Sequence, residues 1–177
     1  LSIVDIYGNA VSMTMTVEAP FGSSRWAAGF LLNNELTDFS FVPTKAGKPV
    51  ANAVAPGKRP RSSMSPSLVF DAKGDLFMVT GSPGGNSIIS YVAKTLSAVL
   101  LWDMDAQTAV NLPNVVARGP IVRVESAYGG TEIAAFLKAK GFTVEETEGE
   151  NSGLHVIIAR QAAFEGGADP RREGKAV

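Results

Sequence analysis

The sequence predicts one α/β domain of the α+β kind, with mostly antiparallel strands. Three observations predict it. Residues 10–17 alternate, with Val11, Met13, Met15 and Val17 on one face and Ser12, Thr14 and Thr16 on the other, the period of a half-buried strand. Two further apolar-rich runs, residues 67–71 and 75–80, flank Lys73-Gly74 as a second hairpin. Residues 88–102 then place Ile88, Ile89, Val92, Leu96 and Val99 near helical spacing. Hairpins come first and helices follow, as in folds that stack helices on an antiparallel sheet. A chain of 177 residues is long enough to bury a real core.

The other elements follow in order. Residues 1–6 are apolar-rich, and Tyr7-Gly8-Asn9 makes a turn into the alternating strand. Residues 20–24 are loop, residues 29–32 a short apolar strand, and residues 33–38 a mostly polar stretch. Residues 43–66 are rich in Pro, Gly, Lys and Arg and read as a long excursion, the kind of loop that is usually functional or mobile. GSPGG at residues 81–85 breaks the second hairpin's last strand, and Asn86 or Ser87 can cap the long helix. A shorter helix follows over residues 105–111, a strand over 121–125, and an amphipathic helix over 131–140 ended by Gly141. Strands at 142–146 and 154–160 complete the domain, and the tail over 166–172 reads as turns. There is no internal repeat and no linker of domain-splitting length. One domain is expected over residues 1–177.

Composition removes several classes. Lys+Arg number 16 and Asp+Glu 17, a net charge of −1, which is no footprint for nucleic acid. The dense basic runs, residues 58–61 and 171–172, are short. With no cysteine, disulfides, thiolate metal sites and a Cys nucleophile are excluded. A single histidine, His155, makes a His-built metal site implausible. No apolar run reaches the roughly 20 residues of a membrane helix; the longest candidate, residues 88–102, is interrupted by Ser90, Lys94, Thr95 and Ser97. The chain opens at Leu1, without an initiator Met and already inside a strand, so a processed product or a fragment is expected.

Four segments carry more than pattern. PGKRPRSSMSP at residues 56–66, GSPGG at 81–85, LLNNELTDFS at 31–40, and the opening SIVD with GNAVS at 2–5 and 8–12 stand out. Their order and spacing resemble the small subunit of the gamma-glutamyltransferases (gamma-glutamyltranspeptidases, glutathione hydrolases), members of the N-terminal-nucleophile hydrolase superfamily. The likeness runs over nearly the whole chain and is strongest in residues 1–95. PGKRP followed by SSM, together with GSPGG, is far more specific than a lone glycine motif.

The resemblance implies a four-layer αββα sandwich made when a precursor cleaves itself into two chains, a heterodimer. The family's nucleophile is the new N-terminal Thr of the small chain, whose own α-amino group can act as base. That Thr and its neighbours, Thr-x-His, would stand just before the equivalent of Leu1 and are not in this sequence. The small chain alone is therefore expected to be inactive. The family takes a gamma-glutamyl group from glutathione-like donors and passes it to water, an amino acid or a peptide. The implied partners are a large subunit from the same precursor and a small-molecule substrate. No metal or organic cofactor is implied, and a periplasmic or secreted bacterial location is expected.

Carried over residue by residue, the resemblance assigns Gly84 and Gly85 to the oxyanion hole, where backbone N–H groups meet charge developing on the carbonyl oxygen. The plain alternative is a strand-to-helix turn. Ser62 and Ser63 match the hydroxyl pair on the substrate's α-carboxylate; outside such a motif they would read as a solvated turn. Glu35 and Asp38 match the acids on its α-ammonium. The apolar residues before them and Phe39 after them favour a partly buried position over surface charge. Thr16 matches a threonine that supports the nucleophile, although Thr14 offers a strand-propensity reading of the same segment. Glu18 departs from the family, many members of which have Asn there; Glu can bind the ammonium with more charge, or shift the acyl preference.

Two other readings stay open. One is an acylase of the same superfamily acting on cephalosporin or glutaryl amides. The other is a non-catalytic relative that binds gamma-glutamyl compounds. Lys58-Arg59-Pro60-Arg61 reads as shaping the loop that leads into Ser62, and His155 as a locally bonded strand histidine. Arg171 and Arg172 are expected to pair with acids near the C-terminus.

Overall fold

The computed structural model describes residues 1–161 and 163–177. In chain order the strands are β1 (Ser2–Val4), β2 (Ala10–Ser12), β3 (Trp26–Ala27), β4 (Phe30–Leu31), β5 (Thr44–Lys45), β6 (Lys48–Pro49), β7 (Ser67–Phe70) and β8 (Leu76–Gly81). Helices α1 (Ile88–Trp102) and α2 (Ala106–Asn111) follow, then β9 (Val115–Ala117), β10 (Ile121–Glu125), α3 (Gly130–Ala139), β11 (Thr143–Thr147), β12 (His155–Arg160) and β13 (Ala163–Ala168). The chain forms two compact units, one of Leu1–Thr14 with Ser63–Val177 and one of Met15–Ser62.

The larger unit is built on an antiparallel sheet in the order β13-β12-β8-β7. Val156 and Ile158 of β12 are buried among Tyr91, Ala98 and Val99 of α1 and Ala106, Ala109 and Val110 of α2. The helix presents a stripe because Ile88, Tyr91, Val92, Thr95, Ala98 and Val99, its buried residues, recur every three or four positions. It stops where Asp103 turns left-handed (φ 51°) and Met104 N–H donates to the Ala98 carbonyl. Asp105 then caps α2, accepting from Thr108 N–H at 2.7 Å and from its hydroxyl at 2.6 Å. The alternate residue of β12, His155, faces the sheet's other side, where Ser2 of β1 meets its ring at 2.6 Å and the Ser12 hydroxyl of β2 donates to the Thr80 carbonyl.

A second sheet of the same unit runs β11-β10-β9. Its β10–β11 pair is parallel, which a short turn cannot make, and α3 supplies the crossover. Val122, Val124 and Ala134 form its own core with Val115, Ile133, Leu137 and Val144 packed around them. The expected fold class therefore holds: every strand ladder but this one is antiparallel among the described residues.

Three element expectations are corrected. The strand expected over residues 10–17 ends at Ser12, because β1 pairs only as far as Ser2↔Ser12 and Met13 N–H adds one bond to Leu1; alternation gives propensity, but a strand needs a partner. The tail from Gly166 is not all turn, since Ala163–Ala168 pairs with β12 through Gly166 and Gly167. Gly167 is needed there because a Cβ would sit 2.6 Å from the Ala106 carbonyl oxygen. Strand β9 has no counterpart among the elements the sequence predicts.

The smaller unit has two minimal hairpins, β3–β4 and β5–β6, and a single 3₁₀ turn, Glu35–Asp38. Phe39 is its one buried apolar side chain among the described residues. The excursion expected over residues 43–66 is otherwise irregular.

Candidate active site

GSPGG begins in β8 and runs into α1, both in the larger unit. Ser82 is buried and closes the entry, donating to the Pro83 carbonyl at 2.7 Å and accepting from Gly153 N–H at 3.1 Å. Gly84 and Gly85 both have positive φ, 137° and 55°, a pair of conformations that glycine adopts without steric cost. At Gly84 space alone also demands glycine: a Cβ would stand 2.4 Å from Tyr91 Cε2. Ser87 N–H donates to the Gly84 carbonyl at 3.1 Å, closing a 3₁₀ turn that leads into α1. Tyr91 is 1% exposed, and its hydroxyl donates to the Glu150 carboxylate. Burial, and then that bond to Glu150, pushes the Tyr91 phenol up to about 12. Glu150 is held in turn by Arg123, through Nε at 3.0 Å and Nη2 at 3.2 Å, and the same Nη2 donates to the Ser87 hydroxyl at 3.1 Å.

Ser63, half-buried, is the first residue of the larger unit's second segment. Its carbonyl accepts from the Ser65 hydroxyl at 3.0 Å. Ser62 ends the smaller unit and is exposed. Ahead of it, Lys58 Nζ donates to the Ala51 and Ala53 carbonyls, so this member of the basic run does shape the loop. Arg61 N–H adds a bond to Asn52 Oδ1 at 3.0 Å.

The smaller unit brings Thr16 and Glu18 to the Asn34–Asp38 stretch. Glu18 is left-handed, with φ 73°. Its N–H donates to Thr16 Oγ1 at 2.8 Å. Its carboxylate accepts from Asn34 Nδ2, and the Thr37 hydroxyl lies 3.3 Å from the same oxygen. Glu35 and Asp38 are half-buried around the exposed Leu36 and Thr37, as expected, and Asn52 Nδ2 fixes the turn by donating to the Asp38 carbonyl at 2.6 Å. Burial, then the negative charges of Asp38 and Glu18, pushes the Glu35 carboxyl above the ordinary range. Asp38 and Glu18 are thus close enough for their charges to act on Glu35, as like charges do. Of the two threonines, Thr16 is exposed, whereas Thr14 has its hydroxyl buried without a partner in the larger unit.

His155 is a strand histidine, but its partners are not local: Ser2 Oγ meets Nδ1 and the Leu1 nitrogen meets Nε2 at 3.1 Å. Burial pushes its ring down to about 4. A cavity of about 530 Å³ in the larger unit is lined by Leu1, Ser2, His155, Asp169 and the last residues of the chain. Sequence reasoning missed a buried charge network here. Arg171 pairs with Asp169, as a pairing near the C-terminus requires, but also with Glu125 from β10. The one available signal was Glu125 itself, a charge ending the apolar run of residues 121–125. Arg172 donates to the Asn151 carbonyl. Among the described residues no group of three or more His, Asp or Glu could hold a metal ion, and no helix is long and apolar enough to cross a membrane.

Helices on one face of an antiparallel sheet, with a second β layer on the other, are the architecture of the N-terminal-nucleophile hydrolases. The family model for gamma-glutamyltranspeptidase matches residues 1–177. A glutathione hydrolase proenzyme of Pseudomonas aeruginosa is 38% identical, over 98% of the chain and 33% of its own length. That of Escherichia coli is 36% identical, over 96% and 30%. The solved gamma-glutamyltranspeptidase of Pseudomonas nitroreducens, complexed with L-DON, superposes with a TM-score of 0.86 at 36% identity, covering 99% of this chain and 96% of that one. The chain belongs to the gamma-glutamyltranspeptidase family. It spans about a third of the length of these curated relatives.

Proposed function

We propose that the complete protein cleaves gamma-glutamyl amide bonds, in glutathione and related compounds, and passes the acyl group to water or to an amino acid or peptide. On this reading, residues 1–177 are most of the small catalytic subunit. The nucleophile is an N-terminal Thr standing shortly before Leu1. Its attack on the amide carbonyl forms a gamma-glutamyl ester and expels the amine, and the second acceptor then resolves the ester. The small chain without that Thr has no nucleophile and is inactive.

The observation that carries this reading is the Gly84–Gly85 turn. Two consecutive positive-φ glycines lie between a buried strand and a helix, a backbone suited to presenting N–H groups to an oxyanion. The hydroxyls of Ser62 and Ser63 bind the α-carboxylate, and Thr16 supports the nucleophile. Glu18, Glu35 and Asp38 bind the α-ammonium.

The acid cluster also favours gamma-glutamyl over glutaryl donors. A glutaryl group has no ammonium to offset three neighbouring carboxylates, one of which is already pushed towards its neutral form. Glu18, though different from the family's Asn, adds to that cation site. A binding protein without turnover is the lesser alternative, since an oxyanion turn serves no purpose in ligand binding alone.

On this reading the large subunit would cover part of the apolar surface that the larger unit exposes, where Ile6, Tyr7 and Leu101 are 89%, 83% and 74% exposed. Mass spectrometry of the complete protein quenched during turnover tests the proposal. A gamma-glutamyl adduct on the N-terminal Thr of the short chain is expected; turnover with no adduct on that residue would overturn the mechanism.

A further inference from the structure

Oxyanion stabilisation uses the backbone of Gly84 and Gly85, and that backbone must be held still. Glycine has more accessible backbone conformations than any other residue. Two in succession at a turn would let their N–H groups wander, and an oxyanion hole works only when its donors stay preorganised within about 2.7–3.1 Å of the developing charge.

We propose that Tyr91 and Glu150 are positioning residues that fix the Gly84–Gly85 turn through a closed ring of contacts. This rests on the oxyanion reading of that turn. The ring begins with the Tyr91 side chain, which occupies the space where a Cβ of Gly84 would stand, with Cε2 2.4 Å and Cδ2 3.0 Å from that point. The Asn151 carbonyl oxygen closes in as well, 3.5 Å from it. The Tyr91 hydroxyl donates to Glu150. Glu150 accepts two bonds from Arg123. Arg123 donates to the Ser87 hydroxyl, and Ser87 N–H returns to the Gly84 carbonyl. Every link is a hydrogen bond or a van der Waals contact, so the turn cannot rotate without breaking one.

The ring is also anchored. Glu150 N–H donates to Glu125 Oε1 at 3.2 Å, and Glu125 is locked by Arg171. The Glu150 side chain is 7% exposed, so its carboxylate has little water to turn to if Tyr91 lets go. The role assigned to these residues is exerted through Gly84, the residue their contacts lead to.

The test uses the complete, processed enzyme carrying Tyr91→Phe, which keeps the ring and loses the hydroxyl, or Glu150→Gln, which keeps an acceptor and loses the charge. A gamma-boronate analogue of the donor, which forms a tetrahedral anion on the nucleophile, reports the oxyanion hole; free glutamate reports ground-state binding. Both variants should lose about 10-fold in kcat and in boronate affinity together, less than the 10²–10³ of deleting a donor, with KM and glutamate affinity unchanged. Unchanged kcat and boronate affinity would overturn the proposal. So would glutamate affinity falling in step with them, the mark of general structural damage. If Tyr91→Phe does not mature, Glu150→Gln carries the same reading. A crystal structure of the wild-type boronate adduct separates the two layers. A boronate oxygen away from the Gly84 and Gly85 N–H groups overturns the oxyanion reading itself; one bonded to them, with inert variants, overturns only the role of Tyr91 and Glu150.

Discussion

Arg171 and Glu125 face each other as a bidentate pair inside the larger unit, with Nε 2.7 and 2.9 Å from the two carboxylate oxygens and Nη2 2.6 Å from one of them. Their side chains are 5% and 1% exposed. The remaining guanidinium donors reach Asp169 and the Val110 and Leu112 carbonyls, and the Tyr128 ring lies 4.3 Å from the guanidinium. Burial works against all three charges, yet the bonds hold Glu125 and Asp169 below the ordinary carboxylate range and Arg171 above its own.

Removing one partner leaves the others buried and uncompensated. Arg171→Met should therefore destabilise the complete protein by about 3–5 kcal/mol. Urea denaturation at neutral pH checks this. Adding Glu125→Gln to Arg171→Met should recover part of the loss, since one orphaned charge is then gone.

Gly84→Ala faces both strain and collision. The strain of a positive φ is about 1–3 kcal/mol, and the Cβ also meets the Tyr91 ring at 2.4 Å. Gly74→Ala is the control, with φ +89° and nothing within 4 Å of the added carbon. Thermal melts should show Gly84→Ala losing clearly more than Gly74→Ala, and only the former should lose activity.

Much of this was legible in the sequence, and the rest failed for a physical reason. The Lys73-Gly74 hairpin, the α1 stripe and the end of α3 near Gly141 are encoded by residues a few positions apart, so local pattern finds them. The Gly84–Gly85 turn was found by motif. Its Tyr91–Glu150 support was not, because the two residues are separated by 59 positions and meet only through packing. The Arg171–Glu125 pair, separated by 46, was hidden in the same way. Gly166 and Gly167 read as a turn because strand propensity cannot register that an α2 backbone needs a missing side chain at Gly167.

Lys94 makes stability depend on pH. Burial, then the charge of Arg171, pushes its ammonium down to about 8 from 10.5, while its Nζ donates to the Leu112 carbonyl at 2.8 Å. Below about 8 both folded and unfolded states hold the proton, so this residue adds no slope. Between about 8 and 10.5 the unfolded chain binds more protons, so the Lys94 contribution to stability rises with pH. Tyr91 acts in the opposite sense, since its raised phenol keeps its proton from 10 to about 12 and loses stability there. Denaturation midpoints across this range should lose the first component in Lys94→Met and the second in Tyr91→Phe.

The acid cluster makes a separate prediction about the donor. Asp38→Asn should raise KM for a gamma-glutamyl anilide about 10-fold, the scale of one charge-assisted bond, with a smaller change in kcat. Because Glu35 sits above the ordinary carboxylate range, donor affinity should weaken at a higher pH than the titration of an ordinary carboxylate would give. Initial rates from neutral to acid pH check both.

Action on the gamma-glutamyl group through recognition of its α-ammonium is tested most directly by one comparison. This is kcat/KM of the complete protein for gamma-glutamyl anilide against glutaryl anilide, which lacks that ammonium. Turnover of the first is expected, with the second slower by at least about 100-fold, since a site built to bond a group rejects the analogue without it. Equal or faster cleavage of the glutaryl compound, or no turnover of either, would contradict that assignment.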